Sequence, residues 1–126
     1  LRRLNTDYID IYWVHNLDYM TKADEIIRGL EDLVRSGKVL YIGLSNAPSW
    51  LLAQCNTIAE RRGWASFAGL QLEYSLAQRS IEAEYFPLLE AFDLNLCMVT
   101  ARGEGFCPAN TKIKRLTAAP DSTCWA

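Results

Sequence analysis

Four side chains stand out for what they could do: His15, the adjacent pair Ser45 and Asn46, and Gln71. Together they offer an imidazole, a hydroxyl and two carboxamides, a set rich in hydrogen-bond donors and acceptors. Each lies in or just after a β-rich run. His15 follows residues 8–14, Ser45 and Asn46 follow residues 39–44, and Gln71 lies within residues 69–73. Period-two alternation puts Ile9, Ile11, Trp13 and His15 on one face of the first run. A polar group at the end of an otherwise apolar strand face is where a parallel sheet presents chemistry. Each residue also has an ordinary structural use. A histidine after an apolar strand is more often a satisfied structural group. Ser-Asn after a strand is more often a turn or cap, and a lone glutamine can be a core amide bonded to backbone. Recurrence brings the functional reading level with the structural one, because three consecutive strands carry polar groups at the same end.

The elements between these residues follow from periodicity. Residues 21–36 carry a helical stripe of Ile26, Ile27, Leu30, Leu33 and Val34, with Thr21 and Asp24 as a capping pair and Gly37 as the stop. Pro48 suits the first turn of a second helix that runs to about Arg62, with Leu51, Leu52, Cys55, Ile58 and Ala59 inside and Gly63 after it. Ser80 can cap a third helix, whose stripe is Ile81, Tyr85, Leu88, Leu89 and Phe92, and residues 96–99 form a fourth strand. Strands separated by whole helices must pair in parallel, with right-handed crossovers. No G-x-G-x-x-G loop follows any strand, which weighs against a dinucleotide-binding doubly wound sheet. The expectation is therefore an α/β fold: a partial (β/α)8 (TIM) barrel of four parallel strands with three intervening helices.

Composition excludes other classes. Half of the 126 residues are hydrophobic and 22% are charged, a globular balance. The formal charge of −2 and the lack of a basic stripe argue against nucleic acid. No apolar run is long enough for a membrane helix. Cysteines at 55, 97, 107 and 124 lack metal-ligand spacing, and there is one histidine, so no metal is expected. Free thiols fit a reducing, cytoplasmic location. Leu1, Arg2, Arg3 and Leu4 read like the tail of a helix, and the length is about half that of a typical barrel, so a fragment is expected.

Three segments carry a family resemblance. Thr-Asp-Tyr-Ile-Asp-Ile-Tyr-Trp-Val-His at residues 6–15 resembles the fourth strand of aldo-keto reductases. Leu-Val-Arg-Ser-Gly-Lys-Val-Leu-Tyr-Ile-Gly-Leu-Ser-Asn at 33–46 resembles that family's fifth-strand segment, and Leu-Gln-Leu-Glu-Tyr-Ser-Leu at 70–76 its sixth strand. The match covers residues 1–100 and is most similar to bacterial and fungal members acting on aldehydes, aryl ketones or quinones. It implies hydride transfer from NADP(H), or NAD(H), to a small carbonyl substrate, without metal or flavin. It also implies roles. His15 orients the carbonyl, while Ser45, Asn46 and Gln71 hold the nicotinamide carboxamide. The family's proton-donating tyrosine, with its lysine and aspartate, matches nothing in this chain. Tyr8, Tyr12 and Tyr41 are read as packing residues. A non-catalytic nicotinamide-binding interaction subunit of the same fold, or a non-functional truncated product, would keep the same residues.

Residues 101–126 break the resemblance. Where the family expects a cofactor loop, the chain has Gly-Glu-Gly-Phe-Cys-Pro-Ala-Asn-Thr-Lys at 103–112. Permitted codons for that stretch, read from the third base of the first, translate as Arg-Gly-Val-Leu-Ser-Gly-Lys-Tyr-Lys, the family's loop. The expectation is a barrel portion at 1–100 and a non-homologous, out-of-frame tail at 101–126, in which Cys107, Cys124 and Trp125 carry no function.

Overall fold

β-Branched and aromatic residues crowd the first two runs and leucine carries the third, and all four expected runs form strands. The structure, a computed structural model, describes residues 1–99; the expected tail at 101–126 lies outside them. After a 3₁₀ turn at Arg2–Leu4 come β1 (Ile9–Val14), α1 (Ala23–Arg35), β2 (Val39–Ser45), α2 (Ser49–Arg62), β3 (Phe67–Glu73), α3 (Glu82–Ala91) and β4 (Asn95–Val99). The strands pair in chain order, and every pair is parallel. Each connection crosses over through a helix, as parallel neighbours require. This is the expected arrangement of four strands and three helices, an α/β portion of a barrel.

The pleat divides the sheet into two faces. Ile42, Leu44, Leu70 and Leu72 are buried on one, in a core with Ile27 of α1 and Leu52 of α2. On the other, register aligns Trp13, Gly43, Gly69 and Asn95 in one row and Ser45, Gln71 and Cys97 in the next. The second face is open: Ile11 is 47% and Tyr41 59% exposed. Tyr8 and Tyr12 are also exposed, so none of these three tyrosines is packed as expected among the described residues.

Gly43 is required by a close approach. A Cβ there would lie 2.3 Å from Cε3 and Cζ3 of Trp13, and one at Gly69 would lie 3.4 Å from Cη2 of the same ring. The indole therefore reaches from β1 across β2 to β3. Beneath this row β3 carries a bulge. Ile42 pairs with Phe67 but Gly43 pairs with Gly69, so Ala68 is an extra residue. Asn56 of α2 bonds the strand there: its Oδ1 accepts from the Phe67 N–H at 2.9 Å, and its Nδ2 donates to the Phe67 carbonyl at 3.3 Å.

Helix ends were read better than helix starts. Gly37 (φ 70°) closes α1, with its N–H on the Val34 carbonyl and the Lys38 N–H on the Leu33 carbonyl. Gly63 (φ 64°) ends α2. The expected Thr21–Asp24 capping pair does not form. α1 starts at Ala23, and Thr21 instead gives its N–H and hydroxyl to the Asp18 carboxylate, at 3.0 and 2.9 Å. Those bonds hold the Asp18 carboxyl below its ordinary pKa, the Thr21 N–H contributing most. Pro48 stands at the N-cap, just before the helix. Ser80 does not cap α3, which begins at Glu82 after Ile81. Arg79 pairs with Glu82 at the start of the helix, Nε to Oε1 at 2.5 Å.

Candidate functional site

The four residues singled out by type all line one cavity of about 210 Å³ at the C-terminal ends of the strands. They arrive on three strand ends, with Ser45 and Asn46 sharing that of β2. β1 stops at Val14, paired with Leu44, and His15 is the next residue. Ser45 is the last residue of β2 and pairs with Gln71 of β3. It is only 2% exposed, so its hydroxyl is held at the cavity wall by the strand itself.

Asn46 turns the chain away from the sheet. Its φ of 50° lies in the left-handed region, which asparagine tolerates better than most residues. Its N–H donates to the Gln71 carbonyl at 3.3 Å, tying the end of β2 to β3. Backbone held in that region recurs at ligand sites. The Gln71 side chain is half-buried, and its Nε2 donates to Cys97 Sγ at 3.8 Å, a weak contact that leaves most of the amide's capacity free. At the first strand, His15 Nδ1 lies 3.2 Å from Asn16 Nδ2.

Sequence reading missed three members of the wall: Leu72, Glu73 and Val99. For Glu73 the signal was present, since it stands two residues beyond Gln71 on the same face. Val99 is its register partner on β4. Asn16 was missed too, because nothing in a sequence marks an amide that bonds its neighbour's ring.

The segment after β3 is clasped beside the site. Glu82 accepts from the Tyr74 hydroxyl at 2.7 Å and from Arg79 at 2.5 and 3.1 Å. The Arg79 guanidinium, then the Tyr74 hydroxyl, hold the Glu82 carboxyl below its ordinary pKa. The hydrogen bond to Glu82 raises Tyr74 in turn. Tyr85 of α3 donates to the Ala47 carbonyl at 3.1 Å, fixing the turn that follows Asn46. Away from the site, burial pushes the Cys55 thiol up to about 11, so it is an inert core group. Among the described residues no three His, Cys, Asp or Glu side chains form a group that could hold a metal ion, and no helix is long and apolar enough to cross a membrane.

Parallel strands joined by crossover helices, with polar side chains gathered at their C-terminal ends, define a barrel-type α/β protein, the class in which that end carries the site. The sequence profile of the Aldo/keto reductase family matches residues 1–122, and the chain belongs to that family. It is 39% identical over 105 residues to norsolorinic acid reductase of Aspergillus flavus, covering 83% of this chain and 27% of that protein. It is 39% identical over 88 residues to aryl-alcohol dehydrogenase [NADP(+)] of Phanerodontia chrysosporium, covering 70% and 23%. To a putative aryl-alcohol dehydrogenase of Saccharomyces cerevisiae it is 36% identical over 105 residues, covering 83% and 36%. The chain thus spans about a quarter to a third of the length of these relatives.

Proposed function

We propose that residues 1–99 carry the nicotinamide-facing part of the site of an oxidoreductase that reduces aldehydes or ketones to alcohols. The observation that supports this is the convergence of His15, Ser45, Asn46 and Gln71 on one cavity. The donor set fits a nicotinamide. A carboxamide has one acceptor oxygen and two donor hydrogens, and a hydroxyl with two side-chain amides can meet both. Ser45, Asn46 and Gln71 would hold it, fixing which ring face is presented. A bound reduced nicotinamide supplies the hydride. Fixed hydrogen bonds lower the barrier by holding reactants near the attack geometry. His15, as a neutral imidazole, donates to the carbonyl oxygen as negative charge develops there. NADP(H) is the proposed cofactor, by analogy with the relative named for NADP(+), and aryl carbonyl compounds are the proposed substrates. A cytoplasmic location completes this reading. Residues 101–126 are proposed to be an out-of-frame tail; resequencing the coding DNA across 100–112 would refute that if the frame is intact and its codons are unrelated to the family loop.

The test of the site is an NMR titration of the ¹⁵N-labelled 126-residue chain with NADP⁺. Shifts are expected at Ser45, Asn46, Gln71 and His15, and Gln71→Ala should diminish them at least several-fold. No shift at millimolar NADP⁺, or shifts confined to other residues, would overturn the assignment.

A further inference from the structure

We infer that Asn16 is a positioning residue for His15, holding the imidazole as the tautomer with its proton on Nε2. This rests on the reading of His15 as the group that meets a carbonyl oxygen. The geometry is local and simple. Asn16 Nδ2 stands 3.2 Å from His15 Nδ1. An amide nitrogen only donates, so Nδ1 must accept and carries no proton. A neutral imidazole has one N–H, which then sits on Nε2. The ring nitrogen left to face a ligand is a donor, the form a carbonyl oxygen needs.

The setting strengthens the case. His15 stands beyond the last paired residue of β1, so no ladder bond orients it. Asn16 leads into a loop anchored at Asp18, whose carboxylate accepts the N–H groups of Met20 and Thr21 at 3.0 Å. The amide therefore comes from a segment with its own fixed point. In histidine sites generally, the hydrogen bond made by one ring nitrogen decides the role of the other. Here that bond comes from the adjacent residue. Turned over, the same amide would present Oδ1, accept from Nδ1–H and select the opposite tautomer, so the proposal makes a definite choice between two spectra.

His15 is the single histidine, so its ring nitrogens give the chain's only imidazole signals. The experiment is a long-range ¹H–¹⁵N correlation spectrum of the labelled 126-residue chain in alkaline solution. The wild-type chain should show a protonated Nε2 and an unprotonated Nδ1. Asn16→Asp places an acceptor-only group beside Nδ1 and should swing the ring toward Nδ1–H. Asn16→Ala should give averaged nitrogen shifts. Asn16 is exposed and outside the core, so these variants keep the fold. A wild-type ring protonated on Nδ1, or a tautomer balance unmoved by Asn16→Asp, would overturn the proposal. The NADP⁺ titration is independent of this result. A tautomer lock with no ligand response at the site sinks the functional reading alone, and a ligand response without the lock sinks this one alone.

Discussion

The two faces of the sheet are built from the same strands and do opposite things. On the helix side, Ile42, Leu44, Leu70 and Leu72 close against α1 and α2 in a buried apolar core. On the concave side the same strands offer Ser45, Gln71, Glu73 and Cys97 above a floor made by Trp13, with Ile11 and Tyr41 exposed. Successive residues along one strand thus face the core and the candidate site in turn. Changes on the first face should be paid for in folding, and changes at the rim of the second should be read out in binding.

Three substitutions test that division, in falling order of effect. Phe67→Ala removes one of the largest fully buried side chains on the helix side. It should cost about 3–5 kcal/mol, seen as a lower urea midpoint. A loss under about 1 kcal/mol would mean that the helix-side core does not carry the fold. Gly43→Ala probes the boundary, since its methyl would enter the Trp13 ring. It should cost about 1–3 kcal/mol as an overpacked site. Adding Trp13→Leu should restore part of that loss in a double-mutant cycle, and strict additivity would show that the ring is not where the contact puts it. Gln71→Ala lies at the rim of the candidate site, where its side-chain bond to Cys97 is weak. Its stability change should stay within about 0.5 kcal/mol while its NADP⁺ response falls. A large destabilisation would make Gln71 a core amide after all.

Much of this was legible in the residues. Strand and helix types followed from period, and Gly37 and Gly63 marked two helix ends because only a left-handed turn can close them cheaply. The four polar positions were legible because alternation and strand ends are written in the chain. What failed depended on competition between near neighbours. Thr21 could cap a helix, but Asp18 claimed its N–H and hydroxyl. Ser80 could do the same, but α3 starts one residue too late, with Ile81 at its N-cap. β3 starts at Phe67, two residues before the expected run, because the pattern of Phe67, Ala68 and Gly69 does not alternate. The place of Glu73 in the cavity wall and the contact of Asn16 with His15 needed neighbours in space, which spacing along one chain supplies only in part.

That broken alternation has a consequence for the site. Phe67 and Gln71 are an even number of residues apart, so an uninterrupted pleat would send both to the same side. Phe67 has to be inside and Gln71 has to meet the cavity. The extra residue at Ala68 shifts the phase of the strand by one step between them. The side on which this strand displays its amide is therefore a matter of parity, set below the site and independent of any residue in it. A further one-residue insertion in that stretch, with Phe67 kept in place, would reverse the display while leaving every lining side chain in the sequence.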